Sequence, residues 1–349
     1  MESTYRNSQV IVTGGASFIG SHLVDRLVDL NANVTVIDNL SSGKLENLRP
    51  PPGIEFIHLD LRNNLFDVIK VFQSKKPRIV FHLAAVHGGR GFIEKFPQQM
   101  LSNLALDNNV LTASFSSEVD MVIHASSACS YPTNLQSSSL TLNLLNEGQA
   151  GFDKAGHAYP DGVYGWVKLI GELQLATLAS KSDYTRGRSA RIFTAYGPRE
   201  NESHAAIALI AKSLLQVDPF PIWGDGNQTR NFTFVDDTVK GLLLLGADRR
   251  QDPYDVVNIG SSMHVRVLDF IHEIHDVIGW SPKEFDFQTD KPVGVASRAS
   301  DNDKITKLFN WEPSTAIRSG IERTLAWYSK KLDRPQTVAE LEDLLLARG

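Results

Sequence analysis

Residues 9–38, QVIVTGGASFIGSHLVDRLVDLNANVTVID, decide the fold of this chain. They begin with the apolar, β-branched run Val10–Thr13, which predicts a buried parallel strand. Two glycines end that strand, and from Phe18 onward apolar residues recur at helical spacing. A second buried strand, Val34–Ile37, follows and leads directly into Asp38. Strand, glycine turn, helix, strand and terminal acid are typical of the first βαβ unit of a dinucleotide-binding fold.

The turn between that strand and helix has the chemistry to hold a pyrophosphate. Its spacing is Gly14-x-x-Ser17-x-x-Gly20, with serine where a middle glycine is usual. Glycines let the backbone approach the phosphates closely, and the helix N-terminus offers free N–H groups. The carboxylate of Asp38 would accept the ribose hydroxyls and repel a 2′-phosphate, so NAD(H) is favoured over NADP(H). The alternative is a purely structural turn in an unrelated α/β protein.

The composition is that of an ordinary globular protein. The 349 residues suffice for one large or two modest domains, with 42% hydrophobic and 21% charged residues. A net charge of −5 gives no basic field for nucleic acid, and no apolar run reaches the ~20 residues that cross a bilayer. The first residues lack the layout of a signal peptide, so we expect a cytoplasmic protein. A single cysteine excludes an internal disulfide, and the ten histidines show no metal-ligand spacing, so we expect no metal.

Strands and helices alternate through the first half of the chain, which predicts an α/β protein with a Rossmann-type, doubly wound parallel sheet. Further strands are predicted at 54–59, 78–83, 119–125 and 189–193, and helices at 65–72, 97–117 and 164–178. In the helix at 97–117 we expect Leu101, Leu104, Val110 and Leu111 to face inward. A long serine-rich loop follows the strand at 119–125 and extends to about Pro160.

After Tyr196 the pattern changes to helices with few strands between them. Helices are predicted at 204–216, 235–247, 265–278 and 314–331, with one strand at 256–259. This predicts a smaller, mostly helical lobe at the carboxyl ends of the strands, where ligands of open α/β sheets bind. We therefore expect a dinucleotide-binding domain (1–195, with segments returning from the C-terminal half), a substrate-binding lobe (196–331) and a helical tail (332–349). The tail is amphipathic, and it either packs on its own domain or contacts a partner.

Tyr164-Gly-Trp-Val-Lys168 is the most informative local pattern. Residues four apart share one face of a helix, which puts the lysine ammonium near the tyrosine phenol. A nearby cation favours the phenolate and lowers the pKa of the tyrosine towards neutrality. The tyrosine would then act as a general base for an alcohol or sugar hydroxyl. The same spacing also occurs by chance, as a helix residue beside a solvated lysine.

A series of motifs follows along residues 8–331: TGGASFIGSHL, Asp38, Asp60-Leu61, HLAA, SSACSYP, YGWVK and YGP. In this order they resemble the extended short-chain dehydrogenase/reductases that act on nucleotide sugars. The resemblance implies a bound NAD, a catalytic set made of Ser127, Tyr164 and Lys168, and a homodimer formed through a four-helix bundle. Ser127 would hydrogen-bond the hydroxyl being oxidised. The implied cofactor contacts are Gly14, Ser17, Phe18, Ile19, Gly20, Asp38, Asn39, Asp60, Leu61, Leu83, Ala84, Ala85, Tyr164 and Lys168.

Within that family the chain is most similar to the GDP-mannose 3,5-epimerases. The similarity lies in HGGRGFIEKFP (87–97), SSACSYP (126–132), WGDGNQTRNFTFVDD (223–237) and the segment Arg298–Asn302. The cysteine region is also similar to the GDP-fucose synthases. In both groups a cysteine at the position of Cys129 is one acid/base on the sugar ring, and the opposing partner is a lysine or a histidine. Here His204 occupies the partner's place. The implied contacts to a GDP-hexose are Gly88, Gly89, Arg90, Ser127, Thr194, Trp223, Arg230 and Arg298, with Thr194 replacing the asparagine usual before YGP.

The chemistry of these side chains agrees with epimerisation. Oxidising C4 of a hexose to a ketone acidifies the hydrogens at C3 and C5. Inversion then needs one group to remove a proton and another, on the opposite face of the ring, to return it. A thiol and an imidazole, as in Cys129 and His204, can do this. Arg230 and Arg298 would hold the diphosphate, because guanidinium binds phosphate oxygens in bidentate fashion.

Several alternatives remain open. A 4-epimerase would need neither Cys129 nor His204, which would then be an inert cysteine and a structural histidine. A net reductase resembling GDP-fucose synthase would use NADPH, which Asp38 disfavours. The 4,6-dehydratases and the decarboxylases of UDP-glucuronate usually carry acids after the catalytic Ser or Thr, where this chain has Ala128-Cys129. A non-catalytic NAD-binding scaffold would have no need for an activated phenol.

Overall fold

The computed structural model describes residues 1–151, 159–331 and 334–345. Part of the predicted serine-rich loop (152–158) and parts of the predicted tail (332–333 and 346–349) lie outside the described residues. None of the helices in the described ranges is long and apolar enough to cross a membrane.

A single parallel sheet forms the centre of the molecule. The strands of the described chain are β1 (Gln9–Thr13), β2 (Asn33–Asp38), β3 (Ile54–His58), β4 (Ile79–His82), β5 (Met121–Ser127), β6 (Leu144–Leu145), β7 (Arg186–Ile192), β8 (Ala195–Tyr196), β9 (Phe220–Trp223), β10 (Thr229–Arg230), β11 (Thr233–Phe234), β12 (Tyr254–Ile259), β13 (Val265–Arg266), β14 (Phe285–Gln288) and β15 (Ala299–Ser300). Seven strands pair in the order β12-β7-β5-β4-β1-β2-β3, all in parallel. The predicted doubly wound α/β sheet is confirmed, and the strand predicted at 256–259 is its edge strand.

Helices cover both faces of this sheet. They are α1 (Glu2–Tyr5), α2 (Phe18–Asp29), α3 (Leu65–Lys75), α4 (Arg90–Lys95), α5 (Pro97–Met100), α6 (Ser102–Ser116), α7 (Gly162–Ala179), α8 (Ala205–Leu214), α9 (Val235–Gly246), α10 (Val267–Ile278), α11 (Asp303–Phe309), α12 (Ile317–Tyr328) and α13 (Val338–Leu345). α3, α6 and α7 pack side by side, and α2 packs against α9. Alternate residues of β1 explain the two layers, because Val10 and Val12 join the core with α2 and α9 while Ile11 joins the core with α3, α6 and α7.

The order of the strands places the functional site. The chain passes from β1 outward to β2 and β3, and it then returns to add β4 on the other side of β1. The direction of winding therefore reverses between β1 and β4, and a crevice opens at their carboxyl ends. β5 ends beside the same crevice, since it pairs in parallel with β4.

The prediction for residues 97–117 was partly wrong. The segment forms two helices, α5 and α6, that meet at Leu101. Leu101 and Leu104 are exposed, at 52% and 37%, whereas Val110 and Leu111 are fully buried as expected. Met100 and Leu106 take the inward positions instead, because the break at Leu101 changes which side chains face the core.

The later part of the chain combines helices with short two-stranded ladders. β8 pairs with β11, β9 with β14, β10 with β13, and β6 with β15. α10 packs against α8 and α12, and α13 packs against α8. Leu341 of α13 is only 1% exposed, so the described part of the tail packs on its own chain.

Candidate active site

The glycine turn after β1 lets three elements meet closely. Gly14 has a φ of +69°, and a side chain there would place Cβ 2.7 Å from the backbone nitrogen of Ala84 at the end of β4. A Cβ on Gly20 would lie 2.1 Å from the carbonyl oxygen of Gly14, so only glycine lets α2 pack on the turn. Ser17, at the N-cap of α2, donates its hydroxyl to Gly14 and makes no side-chain bond to the helix amides. The first N–H groups of α2 therefore remain available to an anion.

Two acids stand at the ends of the neighbouring strands. Asp38 is buried, and its carboxylate accepts hydrogen bonds from the backbone N–H groups of Ala16 (3.0 Å) and Leu40 (2.8 Å). It thus holds the glycine turn against β2. Asp60 accepts from Asn39 (3.1 Å) and from the guanidinium of Arg62, which holds the pKa of Asp60 well below its usual range. The arginine was not predicted, and its position two residues after Asp60 was the available signal.

The predicted cofactor residues all line one cleft. The end nearer β2 and β3 is lined by Gly14, Ser17, Asp38, Asn39, Asp60, Leu61, Leu83, Ala84 and Ala85. The end nearer β5 is lined by Ser17, Phe18, Ile19, Gly20, Leu83, Ala85, Tyr164 and Lys168. Because Ser17, Leu83 and Ala85 face both ends, the two parts are continuous. A glycine cradle, a free helix N-terminus and acids at two strand ends fit a dinucleotide.

The predicted catalytic residues meet in the second part of this cleft, a cavity of about 290 Å³. Ser127 ends β5, Cys129 lies in the following turn, Tyr164 and Lys168 belong to α7, and His204 precedes α8; all five line the cavity. α7 packs directly on the cysteine's turn, since a Cβ on Gly165 would lie 2.2 Å from the carbonyl oxygen of Cys129. The hydroxyl of Ser127 accepts from the backbone N–H of Cys129 (3.1 Å), which orients the turn.

Tyr164 and Lys168 are adjacent, but the expected lowering of the tyrosine pKa is not found. The ammonium of Lys168 lies 6.0 Å from the centre of the Tyr164 ring. Burial raises the pKa of Tyr164, and Cys129 and Asp107 add to the effect. Burial also lowers the pKa of Lys168, while Asp107 and Glu172 oppose that shift. The lowered tyrosine pKa predicted from the spacing was wrong, because the desolvation of the phenol outweighs the effect of the cation one helical turn away.

A buried polar row lies beneath Lys168. Thr13, His82 and His124 face the same side because they are in register on β1, β4 and β5. His82 bonds Thr13 through Nδ1 (2.7 Å) and Asp107 of α6 through Nε2 (3.0 Å). His124 Nε2 lies 3.6 Å from the other oxygen of Asp107. Although burial opposes its ionisation, Lys168 and the two imidazoles lower the pKa of Asp107.

This row therefore places a negative charge near the lysine of the predicted catalytic set. Sequence reasoning missed it, because strand register is not visible in the sequence. An acid among apolar residues of a helix, at Asp107, was the one available signal.

Cys129 contacts an arginine that the sequence had placed at the diphosphate. Nη1 of Arg298 lies 3.3 Å from the sulfur, and Nη2 lies 2.9 Å from Asp161. The other oxygen of Asp161 accepts from Arg90 at 2.8 Å. Asp161 and Arg298 are both buried, so one carboxylate holds two guanidinium groups beside the thiol. The backbone N–H of Asp161 also donates to the carbonyl of Cys129 (2.8 Å), which fixes this geometry.

His204 lies close to a second imidazole and to a buried acid. Its ring centre lies 5.6 Å from that of His87, which also lines the cavity. Its Nδ1 lies 3.7 Å from Glu200, whose side chain is buried. Burial lowers the pKa of His204 to about 4 and raises the pKa of Glu200 well above its usual value. His204 is therefore neutral at pH 7, and neutral imidazole can accept a proton.

The predicted substrate residues do not all line one cavity. The cavity that holds the five predicted catalytic residues, called the catalytic cavity below, is also lined by Gly88, Thr194 and Arg298, and it includes Ser127. Gly89 lies against the loop before His204, since a Cβ there would clash with the carbonyl of Ser203 at 1.7 Å. Arg230 donates to the carbonyls of Thr229 and Val293, each at 2.7 Å, and burial beside Arg298 and Arg90 lowers its pKa to about 10. Trp223 lines a separate cavity of about 630 Å³.

Comparisons with known proteins agree with this geometry. Residues 10–260 match the model of the NAD dependent epimerase/dehydratase family. The GDP-mannose 3,5-epimerase 1 of Oryza sativa subsp. indica is 32% identical over 337 residues, covering 94% of this chain and 84% of that protein. The UDP-glucose 4-epimerase of Mycolicibacterium smegmatis is 27% identical over 335 residues, covering 93% and 99%. The structure of a UDP-glucuronic acid 4-epimerase from Bacillus cereus, in complex with UDP-glucuronic acid and NAD, superposes with a TM-score of 0.78 at 27% identity, covering 92% and 99%.

Proposed function

Given that this chain belongs to the NAD-dependent epimerase/dehydratase family and uses NAD, we propose that it inverts C3, C5 or both in a GDP-hexose. Nucleotide-sugar epimerases with different stereochemical outcomes share this fold, so the finer assignment depends on the site. One observation carries it: Cys129 and His204 line the same cavity as Ser127, Tyr164 and Lys168.

The first task of the site is to take hydrogen from C4. Tyr164 accepts the hydroxyl proton, and Ser127, which ends β5 in the same cavity, holds the hydroxyl oxygen. Tyr164 must take the proton as the phenolate, and the ammonium of Lys168, 6.0 Å from the ring centre, opposes the cost of burying that charge. Asp107 keeps a negative charge near the lysine. When bound, NAD supplies the acceptor for the C4 hydride and later its return. Tyr164 then gives the proton back, so each turnover ends with no net oxidation.

The second task is to exchange a proton on the ring. The C4 ketone acidifies the hydrogens at C3 and C5. His204, neutral because of its burial, accepts one ring proton, and the Cys129 thiol returns a proton to the opposite face. Reversal of these roles at the other carbon would restore both groups, and after inversion of a single carbon His204 would give its proton to water and Cys129 would take one from water. The guanidinium of Arg298 compensates the negative charge that the sulfur acquires when it gives up its proton.

Incubation of nucleotide sugars with the NAD-loaded protein in heavy water tests this proposal. GDP-mannose leads the panel, followed by UDP- and dTDP-hexoses and heptoses, and mass spectrometry locates any deuterium. Deuterium at C3 or C5 without net oxidation is the expected result. If none of the nucleotide sugars in the panel changes, the result would contradict the proposal and favour an NAD-binding regulatory protein.

A 4-epimerase is the second candidate. It is favoured by the relatives and solved structures named as 4-epimerases, which this chain matches over more than nine-tenths of its length. Its chemistry would use Ser127, Tyr164 and Lys168 alone, with Cys129 and His204 as structural residues. The same experiment separates the two, because a 4-epimerase yields a new isomer that carries no deuterium.

We also propose a homodimer and the domain division 1–195, 196–331 and 332–349. Four large apolar side chains on or next to α6 and α7 are exposed in the single chain: Leu101, Leu104, Trp166 and Leu173. Asn108 and Gln174 join the exposed sides of these two helices by a hydrogen bond of 2.9 Å. Pairing of this face with a second copy would bury the four side chains in a four-helix bundle.

A further inference from the structure

Two helices, α4 and α8, line both the catalytic cavity and the cavity of about 630 Å³ that includes Trp223. α4 contributes Ile93 to the catalytic cavity and Glu94 to the second one, while α8 contributes Ala206 to the first and Lys212 to the second. Six residues of helix separate the two α8 positions, which corresponds to ~9 Å along its axis. A ribose and a diphosphate span a distance of this order.

Arginine side chains lie beside both cavities. Arg298 lines the catalytic cavity. Arg230 bonds the carbonyl of Val293, which follows Pro292 on the wall of the second cavity. A diphosphate placed there would meet guanidinium groups, with the sugar in the catalytic cavity and the base beside Trp223. The size of the second cavity is also that of a small-molecule site.

One wall of this second cavity is made by α13, at the far end of the described chain. Leu341 is buried against α8, and Val338, Leu341 and Glu342 all face the cavity. Pro221 and Trp223 line the same cavity as this apolar pair. Among the described residues Glu342 has no hydrogen bond or ion pair, whereas Glu94 is bonded to Arg90 (2.6 Å).

We propose that α13 completes the nucleotide-base pocket and that Glu342 selects guanine. This inference rests on the proposed function and names the residue that would make the substrate a GDP-sugar. A carboxylate is an acceptor only, and guanine presents two adjacent donors, N1–H and N2–H, on one edge. Uracil presents a single N–H flanked by two carbonyl oxygens, which a carboxylate would repel.

Lys212 supplies the opposite charge in the same cavity. Its ammonium donates to the carbonyl of Pro221 at 3.0 Å. Burial lowers the pKa of Lys212 to about 8, and Glu342 opposes that shift. An ammonium donor and a carboxylate acceptor facing one pocket match the O6 acceptor and the N–H donors of guanine.

Calorimetric titration of the NAD-loaded protein with GDP and with UDP tests the proposal. We expect Glu342→Ala to weaken GDP binding by about tenfold, the effect of losing a charge-assisted hydrogen bond, and not to weaken UDP binding, because the carboxylate repels the uracil carbonyls. Asp343→Ala is the matched control, because Asp343 is an exposed acid on the same helix that does not line the cavity. Leu341→Glu, which undocks α13 from α8, should lower GDP affinity at least as much.

The results separate this inference from the proposed function. Equal GDP affinities in the Glu342→Ala and Asp343→Ala variants, or equal losses for GDP and UDP, would overturn the role of Glu342 while the epimerase remained intact. A wild-type protein that binds neither nucleotide would overturn the proposed function itself. Circular dichroism of each variant confirms that the fold is retained.

Discussion

Nη1 of Arg298 lies 3.3 Å from Sγ of Cys129, although the two residues are 169 positions apart in the chain. Burial lowers the pKa of Arg298, but the sulfur and Asp161 raise it, and the pKa lies above its usual value. The contact therefore places a permanent positive charge beside the only cysteine.

The first prediction concerns this cysteine. Replacing Cys129 by alanine should abolish deuterium incorporation at C3 and C5, because one face of the ring then lacks its proton donor. NAD binding should be unchanged, since Cys129 does not line the part of the cleft nearer β2 and β3. Mass spectrometry measures the exchange and a fluorescence titration measures the cofactor. Exchange at the wild-type rate would show that Cys129 has no role in proton transfer.

The second prediction concerns Asp161, the carboxylate shared by Arg90 and Arg298. Asp161→Asn leaves the buried guanidinium of Arg298 without a carboxylate partner, whereas Arg90 keeps its ion pair with Glu94. We expect the free energy of unfolding to fall by about 3 kcal/mol. GDP should then raise the melting temperature more in the variant than in the wild type, because the diphosphate replaces the missing charge. Thermal unfolding with and without GDP measures both effects. An equal gain in the two proteins would contradict an arginine cluster at the diphosphate.

The third prediction is the pH dependence of proton exchange. Because burial lowers the pKa of His204 to about 4, its neutral, proton-accepting form persists down to that pH. The rate of exchange into a 4-keto GDP-sugar, supplied directly so that Tyr164 is not needed, should stay flat from pH 7 to pH 5 and fall towards pH 4. A midpoint near 6.5, the ordinary pKa of histidine, would contradict this.

The same shift affects stability with a definite sign. A histidine whose pKa is lower in the folded protein than in the unfolded chain binds its proton more readily after unfolding. His204 therefore contributes its full stability above about pH 6.5, and the contribution is lost as the pH falls towards 4. Circular dichroism melts of the wild type and of His204→Gln across this range measure the difference, which should shrink as the pH falls.

The fourth prediction concerns the buried row beneath Lys168. Asp107 opposes the lowering of the lysine pKa by burial, so Asp107→Asn should lower that pKa further. The rate of C4 oxidation, measured through the absorbance of reduced NAD, should therefore begin to fall at a lower pH on the alkaline limb of its pH profile. Glu118→Gln, an exposed acid beyond the end of the same helix, should leave the limb in place. If the alkaline limb of the pH profile is the same in Asp107→Asn as in the wild type, the buried polar row has only a structural role.

The fifth prediction concerns the exposed face of α6 and α7. Leu104→Glu and Leu173→Glu should convert a dimer to monomers, because each would bury a charge in the proposed interface. Size-exclusion chromatography with light scattering measures the mass. Leu140→Glu is the control, since Leu140 is 93% exposed and belongs to a loop outside both helices. A wild-type protein that is already monomeric would contradict the proposed dimer.

The features that the sequence predicts correctly are those encoded by residues close together in the chain. The βαβ unit of residues 9–38 depends on apolar periodicity and on glycines within one short stretch, and it forms as expected. Leu101 and Leu104 show the limit of such reading. Their spacing fits an inward helical face, but a break between two helices changes the register and leaves both exposed.

The sequence by itself determined the fold class, the residues of the predicted cofactor cleft and the five predicted catalytic residues that are among those lining the catalytic cavity. Tertiary structure alone decided their surroundings: which arginine contacts Cys129, which acid supports Lys168, and which helix closes the cavity beside Trp223. The reason is physical. Turns and helix faces follow from neighbours along the chain, whereas desolvation, strand register and long-range ion pairs depend on how distant segments pack. For the same reason the pKa of Tyr164 rises where spacing alone predicts that it falls.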